Sequence, residues 1–182
     1  MSSGSSCSYL MSRAQVRVLI FGAVIALLLS TAWADTVYIS SIGSDLNSCT
    51  VSSPCATLQK GVSALTSATS ATICIQTDLD VGIAGNHDVL VQQMDSVQVV
   101  SCTSSPIRLF SNSLLNSSVL SCVSCGDVVI SGLVVSGLLS NTSAAFNIQS
   151  VSNVSVINSS FIGYGVSSSG QSLQLTSSTF VG

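Results

Sequence analysis

Three segments of this chain align without gaps: Val89 to Val100, Leu120 to Ser131 and Phe146 to Ile157. Their offsets are 120 − 89 = 31 and 146 − 120 = 26 residues. In the first, columns one, three, six, nine and eleven hold Val89, Val91, Met94, Val97 and Val99. The second holds Leu120, Cys122, Cys125, Val128 and Ile130 there, and the third Phe146, Ile148, Val151, Val154 and Val156. All fifteen are apolar, against five of the other 21 residues, so the columns repeat by residue type.

Steps of two residues are strand alternation, with successive side chains on opposite faces. Steps of three mark a corner between strands, where Asp95, Ser96, Gly126, Asp127, Ser152 and Asn153 are turn-compatible residues. A helix would put apolar residues at three- and four-residue spacings throughout. The pattern extends both ways. Ile73 and Ile75 match Val97 and Val99, and Leu173 and Leu175 match Val154 and Val156. Coils then start at Ile73, Val97, Val128, Val154 and Leu173, at offsets of 24, 31, 26 and 19. Two coils end alike, in Phe161-Ile162-Gly163 and Phe180-Val181-Gly182, with Val135-Ser136-Gly137 a weaker version. Each coil has room for about three short strands, and stacked coils make a solenoid with loops of uneven length. The alternative is an antiparallel β-sandwich, which gives no reason for columns to repeat.

Composition agrees with an all-β fold. Charged residues are 6% of the chain and every acidic one is Asp. Ser, Thr, Val and Asn fill the positions that Lys, Glu and Ala take in helical proteins. The net charge of −3 leaves no basic patch for nucleic acid.

The N-terminus reads as a secretory signal peptide over residues 1–34. Arg13 and Arg17 precede an apolar run from Val18 to Leu29, followed by Ala32-Trp33-Ala34. Cleavage after Ala34 would leave Asp35 first. An uncleaved signal anchor is the alternative, but the run is short for a span of about 20 residues. The processed chain carries Lys60 and Arg108 against seven Asp, 2 − 7 = −5. It keeps six cysteines, Cys49, Cys55, Cys74, Cys102, Cys122 and Cys125, and an even number in an exported chain suggests disulfides. N-x-Ser/Thr sequons at Asn116, Asn141, Asn153 and Asn158 are glycosylation candidates.

Residues 35–70 suit a cap over the open edge of the first coil. Thr36 to Ser40 reads as a strand. Ser53-Pro54 is a helix-start signal, with Leu58, Val62 and Leu65 at helical spacing behind it. The order Val37-Tyr38-Ile39-Ser40, Gly43-Ser44-Asp45, Cys49, Pro54-Cys55-Ala56-Thr57-Leu58-Gln59, Thr72-Ile73-Cys74-Ile75 resembles an entry module of known type. It is similar to the N-terminal region of secreted right-handed parallel β-helix proteins of the pectin lyase-like superfamily, including polymorphic outer membrane protein-like chains. The resemblance runs through the coils to Gly182. It implies a right-handed parallel β-helix with a short capping helix, and a local Cys49–Cys55 disulfide. Residues 71–182 would be the coils. The last repeat ends at Gly182 without a cap, which reads as a fragment or a truncated chain.

Enzymes of this fold use Asp clusters with calcium, or Arg and Lys bases, on outer faces. Here Lys60 reads as a solvated charge on the cap helix and Arg108 as outward and isolated. No two carboxylates can be placed together for an oxocarbenium mechanism. Asp78-Leu79-Asp80 with Gly82 lacks the later ligands of an EF-hand and reads as a polar turn. His87 beside Asp88 reads as an exposed turn histidine. Cys122-Val123-Ser124-Cys125 has redox or zinc spacing, but both cysteines occupy inward columns, as buried apolar residues or a disulfide. Cys74 and Cys102 fall about four positions apart in the assumed register, and their pairing is open. No cofactor and no metal is expected. The expectation is a secreted or cell-surface scaffold in adhesion, recognition or wall contact, with surface or wall glycans as partners. The alternative is the N-terminal part of a carbohydrate-active enzyme whose catalytic coils lie beyond residue 182.

Overall fold

The computed structural model describes residues 34–65, 69–139, 144–163, 165–170 and 172–181. The signal-peptide reading therefore falls almost wholly outside the described residues. Strand β1 (Ala34–Ile39) is followed by helix α1 (Leu58–Ala64), β2 (Ser70–Ile75), β3 (Leu79–Asp80), β4 (Val89–Gln92) and β5 (Ser96–Ser101). Next come β6 (Ile107–Leu115), β7 (Leu120–Val123), β8 (Asp127–Ser131), β9 (Leu133–Leu139) and β10 (Phe146–Gln149). The chain continues through β11 (Asn153–Ile157), β12 (Ser160–Ile162), β13 (Val166–Ser168), β14 (Ser172–Thr176) and β15 (Thr179–Val181).

These strands form three sheets. Sheet one is ordered β1-β2-β5-β8-β11-β14, sheet two β13-β10-β7-β4, and sheet three β15-β12-β9-β6-β3. From β2 onward the chain visits sheet one, sheet three and sheet two in unbroken rotation. Every pairing between these strands is parallel. That excludes the antiparallel sandwich and is compatible with a β-helix. All fifteen column residues are buried in one continuous apolar cluster. Fully burying a Val, Leu, Ile or Phe stabilises by roughly 1.5–3 kcal/mol, so the columns supply the main folding drive.

The register agrees with the alignment at Val89, Leu120 and Phe146, and at Val97, Val128, Val154 and Leu173. It departs at the first coil. Ile73 pairs with Val99 rather than Val97, and Ala71 pairs with Val97, an offset of 97 − 71 = 26 rather than 24. A slip of two residues keeps every side chain on its own face, so alternation alone does not detect it. The corrected register sets Cys74 opposite Val100, only two positions from Cys102. Those cysteines form a disulfide, with Cα atoms 5.5 Å apart.

The corners also lie slightly off the sequence reading. Ser96, Asp127 and Asn153 already begin strands β5, β8 and β11. The turn is made earlier, by Gln93, Ser124 and Ser150 at φ 57°, 55° and 55°, one aligned column in the left-handed region. A second such column holds Gly132, Asn158 and Ser177 at φ 69°, 48° and 48°. Left-handed backbone is uncommon for residues with a Cβ, and Asn tolerates it best among them. At Gly126 the restriction is different: a Cβ would collide with the Asp95 carbonyl of the neighbouring corner.

The helix forms over the expected apolar residues but starts later than Ser53-Pro54 suggested. Thr57, not Ser53, is the N-cap of α1, its hydroxyl accepting the Lys60 N–H at 3.2 Å. Ser53 instead exchanges backbone hydrogen bonds with Thr50 in a tight turn. Leu58 and Leu65 are buried and Val62 packs partly buried against the core. Asp45 explains the Gly-Ser-Asp signal structurally. Its Oδ1 accepts from the Ala56 and Thr57 N–H groups at 2.9 and 3.0 Å, and its Oδ2 from the Thr57 hydroxyl at 2.8 Å.

Candidate functional site

Leu79 and Leu109 pair across β3 and β6 and are both buried, which turns the residues on either side of each outward. Asp80 pairs with Phe110 on that outer face. One step earlier, Asp78 Oδ1 accepts the backbone N–H of Arg108 at 2.8 Å. The Arg108 guanidinium carbon stands 5.8 Å from the Phe110 ring centroid, within cation–π range. Asp78, Asp80, Arg108 and Phe110 thus share one outward patch, and Arg108 is not isolated as the sequence suggested. Thirty positions separate Asp78 from Arg108, a full circuit of the chain, and only the stacking register joins them.

The entry loop and the loop after β3 wall this patch into a cleft of about 480 Å³, which Ser41, Thr57, Ile83 and Asn86 also line. Asn86 is buried. Its Oδ1 accepts the Leu58 N–H at 2.9 Å, and its Nδ2 donates to the Asp80 carbonyl at 3.1 Å. It ties the helix start to β3 and so fixes the cleft wall. Asp80 Oδ1 accepts the Gly82 N–H at 2.8 Å, closing the polar turn. Each carboxylate therefore has one oxygen anchored to backbone. Among the described residues their second oxygens have no hydrogen-bond partner and the Arg108 guanidinium has no ion pair. Asn86 carried no sequence signal. The cleft carried a faint one: Asp78-Leu79-Asp80 and Arg108-Leu109-Phe110 share an outward, inward, outward alternation at a coil-length offset.

His87 is half-buried rather than exposed, with Nδ1 donating to the Val81 carbonyl at 2.9 Å. Its neighbour Asp88 is exposed and lines a second hollow of about 340 Å³ with Asn116, Ser117, Ser118 and Asn147. Lys60 is half-buried on α1.

The six cysteines pair as Cys49–Cys55, Cys74–Cys102 and Cys122–Cys125, with Cα separations of 4.6, 5.5 and 6.2 Å. Cys122–Cys125 is buried, and its sulfurs are bonded to each other rather than available to a metal. Among the described residues no group of three or more His, Cys, Asp and Glu could hold a metal ion. Among them, too, no helix is long and apolar enough to cross a membrane.

Of the sequons, Asn116 is exposed in the turn after β6. Asn158 is exposed at a left-handed corner. Asn153 is exposed but engaged, its Nδ2 donating to Asp127 at 2.8 Å and its Oδ1 accepting from Ser172 at 2.7 Å. Asn141 lies outside the described residues.

No protein-family model matches this chain, and no curated protein or solved structure gives a significant match.

Proposed function

We propose that the chain is an exported right-handed parallel β-helix of pectin lyase-like type, acting in non-enzymatic recognition at a cell surface or wall. The observation that carries this reading is the unbroken rotation through three parallel sheets, stapled by three disulfides. Parallel crossovers are almost always right-handed, which supplies the hand. Disulfides persist in oxidising compartments, which supports export together with the leader read over residues 1–34. The outer faces are mostly polar along their rows: Thr72, Gln98, Ser155 and Gln174 with Val129 among them on sheet one, and Ser121, Asn147 and Ser167 next to the exposed Leu90 on sheet two. Such faces present hydroxyl and amide groups suited to hydrogen-bonding glycans.

The test is expression of the full chain in a eukaryotic secretory host. The expected product enters the medium, begins at Asp35, loses mass on enzymatic deglycosylation and is retained by immobilised wall polysaccharides. Cytosolic retention with an intact N-terminus would overturn the export reading, and absence from every polysaccharide would overturn the recognition reading.

A further inference from the structure

We infer that the cleft between the entry loop and strands β3 and β6 binds one residue of a neutral pyranose. The inference rests on the recognition reading and gives it a site. Sugar binding needs three things at once: acceptors for hydroxyl protons, donors for hydroxyl oxygens, and a flat apolar surface for the C–H face. Asp78 and Asp80 supply the acceptors. Their Oδ1 atoms are held by the Arg108 and Gly82 N–H groups, so the carboxylates are fixed before a ligand arrives. Arg108 supplies planar donors with no ion pair among the described residues; its guanidinium covers one face of Phe110, and the rest of that ring together with the exposed Ile83 supplies the apolar surface. Preorganised groups lose little freedom on binding, which favours affinity from few contacts. A cleft of about 480 Å³ falls within the range of small-ligand sites, roughly 300–1,000 Å³.

Charge selects among sugars. Two carboxylates against one guanidinium leave the cleft net negative, so an acidic sugar is repelled and a neutral one is preferred. The same two carboxylates would attract a divalent cation, and the experiment separates that occupant.

The full processed chain, uniformly labelled with ¹⁵N, is titrated with methyl glycosides of glucose, galactose and mannose. Glucuronate and calcium chloride serve as separate arms. At least one neutral glycoside is expected to move the amide signals of Asp80, Gly82 and Phe110 and leave those of β14 in place. Asp78→Asn keeps the Oδ1 acceptor and replaces the free oxygen by a donor. Arg108→Gln shortens the donor group and removes its charge. Each is expected to weaken binding about tenfold, the scale of one charged hydrogen bond, with the amide spectrum elsewhere unchanged. Glucuronate is expected to bind more weakly than its neutral counterpart.

Calcium moving these signals while no neutral glycoside does would overturn the proposal in favour of a cation site. Shifts confined to the outer faces of sheets one and two would overturn it as well. Polysaccharide retention unchanged in both variants would sink the cleft and leave the wider recognition reading standing. Cleft shifts with no polysaccharide retention would uphold the cleft and sink surface adhesion.

Discussion

Sheet one buries the same inward column very differently at its two ends. Val37, Ile73, Val99, Ile130, Val156 and Leu175 stand in register on successive strands. Their exposures are 5, 0, 1, 0, 0 and 52%. β1 has a partner on its outer side: Tyr38 N–H donates to Cys49 O, Cys55 N–H to Tyr38 O and Ser40 N–H to Cys55 O, each at 2.9 Å. Helix α1 lies beyond, with Gly61 against the Ile39 and Val37 side chains. Among the described residues β14 has a strand partner on one side only. Residues that read identically in sequence therefore differ in burial, because in a stack the next layer, not the residue's own alternation, excludes water.

The sharpest way to break this comparison is to truncate one column at two levels. Ile130→Ala opens a cavity between covered layers and is expected to cost about 4 kcal/mol. Leu175→Ala removes a side chain already half in water and is expected to cost under about 1 kcal/mol. Urea unfolding of both variants checks this, and equal losses would mean that the last layer is covered in solution.

Disulfides should rank by the chain they close. Sequence separations of 28, 6 and 3 residues for Cys74–Cys102, Cys49–Cys55 and Cys122–Cys125 give about 3.5, 2 and 1.5 kcal/mol from loop entropy. Paired Cys→Ala variants followed by thermal denaturation test that order. A larger loss at Cys49–Cys55 would show that its role as a cap over β1 outweighs its short loop.

The columns from Val89 to Ile157 were legible because each side chain there is buried between layers and the chemistry of the column has to repeat. Their extension to Ile73 slipped by two residues because parity is all that an isolated strand reveals. That slip hid the Cys74–Cys102 pair. The capping helix was legible from Leu58, Val62 and Leu65, while its start was misplaced, since Ser53 and Thr57 are both capable N-caps. Contacts from outside the helix decide between them: Asp45 accepts from Ala56 and Thr57, and Asn86 accepts from Leu58. The cleft was the least legible part. Asp78 and Arg108 meet through a backbone hydrogen bond one circuit apart, and no local pattern encodes that contact.

Asp45→Ala sharpens the covered end. It removes three hydrogen bonds at the start of α1 and is expected to cost about 1–2 kcal/mol. Amide exchange should accelerate at Ala56, Thr57 and Leu58 and stay unchanged in β11 and β14. Acceleration throughout would mean that the cap and the stack unfold as one unit.

The smallest effect separates the ends by backbone alone. Ser150 and Ser177 both sit in the left-handed region, at φ 55° and 48°, but Ser150 turns between β10 and β11 and Ser177 between β14 and β15. Glycine at either position relieves about 1 kcal/mol of Cβ strain, partly offset by its greater freedom in the unfolded chain. At Ser150 the balance should appear as a gain of about 0.5 kcal/mol in global stability, because that corner opens only when the stack unfolds. At Ser177 the same relief acts on strands that can fray first, so the global midpoint should not move. A measured gain at Ser177 equal to that at Ser150 would place the last strands inside the cooperative unit, and the exposure of Leu175 would then go with an ordered edge rather than a frayed one.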